Sequence, residues 1–155
     1  MRTIDATPAA AGMRIAVVVS KYNDFVTDRL QAGALAALAD AGVADGDITV
    51  IRVPGAFEIS FAARQAAAGG VDAVVCLGCL IRGATAHFEY IASAVSHGIT
   101  AAAAETGVPI TFGVLTTNSV EEAIQRAGDG PSNKGWEAAV AAVEMATVMA
   151  HLKRL

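Results

Sequence analysis

Charge is scarce in this sequence, and positive charge most of all: Lys and Arg number 11 among 155 residues against 15 Asp and Glu, for a formal net charge of −4. There is no basic stripe to track a phosphate backbone, which excludes nucleic acid as a partner. Long apolar runs are missing too. Although 54% of the residues are hydrophobic and only 17% charged, no run approaches the ~20 residues a membrane helix needs, which excludes a bilayer-spanning segment. Residues 1–12 are mixed and rich in Ala and Pro, without the continuous apolar stretch of a secretory signal. They read as a flexible N-terminal arm of a cytoplasmic protein. Cysteine is limited to Cys76 and Cys79. Their C-x-x-C spacing invites a zinc or redox reading, but inside a strand a separation of three puts them on opposite faces, roughly 10 Å apart. That is too far for a disulfide or a shared metal, so both read as small buried apolar residues, and no metal or organic cofactor is expected.

What is present is alternation. Arg14–Ser20 is a continuous β-branched run of the kind found in a parallel strand covered on both faces. A turn at Lys21–Asp24 leads into a helix with apolar positions Phe25, Leu30, Ala34, Leu38 and Ala41, closed by Gly42. Ile48–Val53 is a second strand, broken by Pro54-Gly55 and followed by a short helix from Phe57 to Ala68. The third strand, Ala73–Ile81, leads to a long helix from His87 to Thr106. The fourth, Ile110–Thr116, is followed by a capping box, S-x-x-E, at Ser119–Glu122, a helix ending near Gly128, and a last helix over Lys134–Lys153. Residues 13–155 therefore predict a single α/β domain, a three-layer sandwich around a four-stranded parallel sheet, flavodoxin-like. So apolar a chain buries much of its surface against copies of itself.

Ligands in such sheets bind at the carboxyl ends of the strands. Four segments meet there: Ser20–Asn23, Pro54–Glu58, Ile81–His87 and Thr116–Asn118. Gly83-Ala84-Thr85 should turn from the third strand into a helix N-terminus, whose free N–H groups form an anion site. His87, in the first turn of that helix, adds a group able to move protons near neutral pH. Tyr22 offers a flat aromatic face and Asn23 a donor and an acceptor. Gly55-Ala56 permits close backbone approach, and Glu58 can accept bonds from hydroxyls or serve only as a charge in a helix's first turn. His97 and His151 read as surface residues and Trp136 as a packing anchor.

Four motifs, in order and in register, carry a resemblance. Val53-Pro-Gly-Ala-Phe-Glu58, Gly78-Cys-Leu-Ile-Arg-Gly-Ala-Thr-Ala-His-Phe-Glu-Tyr90, Phe112-Gly-Val-Leu-Thr-Thr-Asn118 with Glu122–Gly128, and Asn133-Lys-Gly135 resemble the 6,7-dimethyl-8-ribityllumazine synthase family over residues 13–153. The resemblance implies the penultimate step of riboflavin synthesis. In it, 5-amino-6-(D-ribitylamino)uracil and 3,4-dihydroxy-2-butanone 4-phosphate, both small-molecule substrates, condense with loss of phosphate and water and without a cofactor. It implies that Tyr22 stacks on the pyrimidine with Asn23 beside it, and that Ala56, Phe57 and Glu58 hold the ribityl chain. Cys79, Leu80 and Ile81 would read the pyrimidine edge through their backbone, with Phe112 and Lys134 as further contacts. Ala84, Thr85 and Arg126 would take the phosphate, and His87 would be the general acid/base. Two departures stand out: Tyr22 occupies a position more often Phe or Trp, and Cys79 replaces a different small residue.

The resemblance also implies a pentamer, with decamers or sixty-chain particles as larger forms and riboflavin synthase as a further partner. The loop between Gly128 and Asn133 resembles the short form of the large particles. Strand direction adds an expectation about the site. Phe112 lies near the start of the fourth strand, roughly 13 Å of strand before Thr116, and Arg126 and Lys134 follow the helix that runs back from it. All three should sit at the edge of the sheet away from Tyr22 and His87, so a head-to-tail contact between subunits must complete each site. Two rival readings stay open: a non-catalytic flavin-binding module, although Ser20–Phe25 is poorer in hydroxyls than a flavodoxin phosphate loop, and a shell-forming structural protein.

Overall fold

The computed structural model describes all 155 residues. Four parallel strands, β1 (Ile15–Ser20), β2 (Ile48–Val53), β3 (Ala73–Ile81) and β4 (Ile110–Thr117), form one sheet in the order β2-β1-β3-β4. Between and after them run α1 (Asp24–Asp40), α2 (Ile59–Ala68), α3 (His87–Thr106), α4 (Val120–Arg126) and α5 (Lys134–Leu152), with short 3₁₀ turns at Asp45–Asp47 and Ala56–Glu58. This is the expected flavodoxin-like three-layer sandwich. Val17 and Val19 of β1 pack with α1 and α5, while Ala16 and Val18 pack with α2 and α3. Successive side chains of a strand point to opposite faces, so a β-branched run without polar alternation is what a sheet covered on both sides demands. The same parity separates the cysteines: Cys79 lies in the first core and Cys76 in the second, both free.

One core assignment needs correction. Phe25 is 46% exposed, and Val26, fully buried, takes its place. The buried stripe of α1 contains Leu30, Ala34 and Leu38, and counting back one turn of four residues from Leu30 reaches Val26. The capping box at α4 also differs in detail. Ser119 Oγ accepts from the Glu122 N–H at 3.2 Å, but the Glu122 carboxylate returns to the N–H of Asn118, one residue before the cap, at 2.9 Å.

The start of α5 is sewn to α1 by Asn133. Its side-chain oxygen accepts from the N–H groups of Gly135 and Trp136 at 2.8 and 3.2 Å, and its amide nitrogen donates to the carbonyls of Gly128 and Arg29 at 2.8 and 3.2 Å. Asn133 is 2% exposed, so filling all of its polar capacity is what makes its burial tolerable. Gly33 and Gly135 allow the approach: a Cβ on Gly33 would overlap the Asn133 amide, and one on Gly135 would overlap the Leu30 carbonyl. Trp136 packs against the same core. His97 and His151 are exposed.

Residues 1–12 contain no helix or strand. Part of this arm lies on the domain: the Thr7 N–H donates to Thr147 Oγ1 at 3.0 Å, the Ala10 N–H donates to the Ala41 carbonyl at 2.9 Å, and Ala10 is fully buried. No helix is long and apolar enough to cross a membrane.

Candidate active site

The site begins where two strands differ in length. β1 pairs with β3 only as far as Val19 and Leu77, whereas β3 stays paired with β4 to Ile81 and Thr117. In a parallel strand the N–H and C=O of one residue point to the same side and alternate along the chain. The N–H of Val74 donates to Pro109 and that of Arg82 to Thr117, so even-numbered residues of β3 face β4 and odd-numbered ones face β1. Cys79 and Ile81 therefore point their backbone groups past the end of β1. Asn23, in the left-handed conformation at φ 62°, swings its amide over this gap and donates to the Cys79 carbonyl at 2.9 Å. The N–H and C=O of Ile81 are left as a donor and an acceptor side by side.

A cleft of about 820 Å³ opens over this edge, within the range of small-molecule sites. Tyr22 and Asn23 line one wall, Ala56, Phe57 and Glu58 another, and Cys79, Leu80 and Ile81 the floor. Thr85 and His87 close the end. Tyr22 is 73% and Phe57 62% exposed, so two aromatic surfaces stand open to a flat ligand. The Glu58 carboxylate folds toward Gly55, whose absent Cβ would lie 3.2 Å from Oε2. Ala84 lies in the exposed turn but does not line the cleft. α3 starts at His87 with no side-chain cap on its first turn, and the Thr85 hydroxyl lies 3.5 Å from the His87 N–H. Apart from that one long contact, the amide donors of this turn have no side-chain partner, and beside an exposed imidazole they make an anion site with a proton-transfer group at its edge.

Phe112, Arg126 and Lys134 are elsewhere. They line a second cleft of about 440 Å³ that runs along β4 from Thr111 to Thr116. The separation from Tyr22 and His87 agrees with strand geometry, and Phe112, the third residue of β4, lies toward the amino end of that strand as expected. The location of Arg126 and Lys134 is corrected, for they flank the open side of the edge strand. α4 runs back only as far as Arg126, so residues 126 and 134 come to lie beside β4 rather than below it. In the single chain Arg126 donates from Nη1 to the Glu122 carbonyl at 3.0 Å, and Lys134 Nζ pairs with Glu137 at 2.8 Å.

Two lining residues of the main cleft carried no role in the sequence reading: Phe88 and Ile91. Once α3 is known to start at His87, Ile91 is one turn on from it, a spacing visible in the sequence. Cys79 is no nucleophile. Burial pushes its thiol up to about 11, and Cys76 is pushed higher by the same cause. No group of three or more His, Cys, Asp or Glu side chains is placed to hold a metal ion.

Comparison with known proteins gives a consistent result. A profile described as 6,7-dimethyl-8-ribityllumazine synthase matches residues 12–150. The chain is 52% identical over 141 residues to the 6,7-dimethyl-8-ribityllumazine synthase of Syntrophus aciditrophicus (strain SB), covering 90% of this chain and 92% of that protein. It is 46% identical over 153 residues to the protein of the same name from Desulfatibacillum aliphaticivorans, covering 98% and 99% of the two chains. A match of this extent runs through every segment that builds the two clefts, and the chain belongs to the 6,7-dimethyl-8-ribityllumazine synthase family.

Proposed function

We infer that this chain is a transferase that condenses 5-amino-6-(D-ribitylamino)uracil with 3,4-dihydroxy-2-butanone 4-phosphate to 6,7-dimethyl-8-ribityllumazine, releasing phosphate and water. The observation that carries the reading is the open edge of β3 at Ile81, lying between the exposed face of Tyr22 and the uncapped start of α3 at His87. A uracil edge is a row of alternating donors and acceptors, which the Ile81 N–H and C=O can meet while Tyr22 covers the ring. The Phe57–Glu58 wall suits a polyol. The phosphate of the second substrate goes to the turn at Ala84 and Thr85, which sets its carbonyl carbon near both the uracil amine and His87. Imine formation, phosphate elimination and ring closure each move protons, and His87 is the group placed to carry them. Holding two substrates face to face supplies much of the remaining rate.

The cation that the family resemblance assigns to the phosphate, Arg126, lies in the other cleft together with Lys134. The subunits therefore assemble head to tail, the β4 side of one closing the main cleft of the next, so that Phe112, Arg126 and Lys134 complete a neighbour's site. The ring is a pentamer, able to build decamers or a sixty-chain particle, in the cytoplasm, with riboflavin synthase as a further partner. A steady-state assay of lumazine formation alongside light scattering tests activity and assembly together. Purified protein that is yellow and inactive would favour the flavin-binding reading instead. Shared sites are tested by co-expressing His87→Ala and Arg126→Ala chains. With random mixing, roughly a quarter of the interfaces pair an intact His87 with an intact neighbouring Arg126, and activity returns. Mixed particles no more active than the sum of the two variants would exclude the shared site.

A further inference from the structure

The turn that leads into α3 has little of its own to hold it. Residues 82–87 are all exposed, and a Cβ on Gly83 would find no atom within 4 Å. What ties it down is Arg82. Its backbone N–H donates to the Thr117 carbonyl at 2.8 Å, its Nε donates to Asn118 Oδ1 at 3.0 Å, and its Nη1 pairs with the Glu89 carboxylate. The guanidinium lies 4.5 Å from the centre of the Phe88 ring. Asn118 follows β4, while Phe88 and Glu89 belong to the first turn of α3, so one planar group spans from the sheet edge to the helix start. Arg82 itself does not line the cleft, whereas Phe88 does.

We propose that Arg82 is a positioning residue for the reaction, clamping the first turn of α3 against the sheet and neutralising Glu89 beside the phosphate site. The proposal rests on the phosphate reading given above. A carboxylate in the first turn favours the helix but repels a second anion bound at the same N-terminus. Arg82 cancels that repulsion, and its fork holds two acceptors at once while stacking on an aromatic ring, which a lysine cannot do. The Arg82 and Glu89 side chains are 46% and 52% exposed, and a pair so solvated contributes little to stability. The effect of Arg82 belongs in kinetics, not in melting.

The test uses the assembled full-length protein with inorganic phosphate as the probe. Arg82→Ala is expected to weaken phosphate inhibition and raise the KM for the phosphorylated ketone by about tenfold, with the KM for the aminouracil and the melting temperature little changed. Adding Glu89→Gln to Arg82→Ala should return most of the lost phosphate affinity. Arg82→Lys, which keeps the charge without the fork, should keep that affinity yet lower kcat. It also carries the comparison if the alanine variant fails to assemble. A loss that Glu89→Gln does not relieve would make Arg82 a direct phosphate ligand and overturn the positioning role. Unchanged phosphate inhibition in Arg82→Ala, beside a clear loss in Arg126→Ala, would overturn the clamp alone. No loss in either variant would overturn the phosphate reading beneath it.

Discussion

The side-chain amide of Asn23 donates to the Cys79 carbonyl at 2.9 Å across 56 residues of chain, extending the β1 side of the sheet by one bond after β1 has ended. Two properties of asparagine are used together. Its short polar side chain tolerates the left-handed backbone at φ 62°, and its amide reaches the carbonyl that β1 no longer covers. Asn23→Gly keeps the backbone and loses the bond, whereas Asn23→Ala loses both. Chemical denaturation should show the alanine variant less stable than the wild type by about 1–2 kcal/mol, and the glycine variant between them. Both should bind a uracil analogue more weakly, because the floor of the cleft at Cys79 and Ile81 loses its support.

His87 is exposed, so its removal tests chemistry with little disturbance of the fold. His87→Ala should lower turnover by roughly 10- to 10⁴-fold with little loss of affinity for a pyrimidine analogue. Calorimetric titration of that analogue checks it: affinity falling together with rate would make His87 a binding residue.

Arg126 offers a planar fork suited to phosphate, yet in the single chain it rests on the Glu122 carbonyl of its own helix. Arg126→Ala should raise the KM for the phosphorylated ketone much more than that for the uracil. If the residue served only its helix end, the variant would melt earlier and react almost normally.

Gly135 sits where α5 meets α1, and the Leu30 carbonyl occupies the space a Cβ would need. Backbone on both sides leaves no flexible side chain to yield. Gly135→Ala should destabilise the subunit by about 3 kcal/mol or more, read as a shift in denaturation midpoint, and should displace Lys134 with it.

Burial disfavours the Cys79 thiolate and pushes the thiol up to about 11, against 9.0 for an ordinary thiol, and Cys76 is shifted further the same way. In the unfolded chain both thiols lose their protons near pH 9 while the native ones keep them. Stability is therefore full below pH 9 and falls as pH rises toward 11, by up to about 1.4 kcal/mol per pH unit for each thiol. Denaturation midpoints at pH 8 and pH 10.5 should differ less in a Cys76→Ala, Cys79→Ala protein than in the wild type.

The strands were legible because their evidence is local. Ile48–Val53 and Ala73–Ile81 have the predicted bounds, and β1 and β4 differ by one residue each. The start of α3 at His87 could be read from Gly83-Ala84-Thr85 and the amphipathic run after it. Phe25 was placed in the core because a large apolar residue beside a helix start looks like part of the buried stripe, and a shift of one residue turns a side chain by about 100°.

Alternation of apolar runs and helical patterns determined the layers, the parallel sheet and the edge where a ligand binds, since periods of two and 3.6 residues are properties of neighbouring positions. The sequence also placed Phe112, Arg126 and Lys134 apart from Tyr22 and His87, because strand direction sets which end of the sheet a residue occupies. Only the tertiary structure decided that these three gather along the free side of β4, that Asn133 spends its whole amide joining α5 to α1, and that Arg82 clamps the turn beside His87. Arg82 and Asn118 are 36 residues apart and Asn133 and Arg29 are 104 apart. Contacts at such distances leave no periodic trace, because which two polar side chains meet is set by how the helices and the sheet pack.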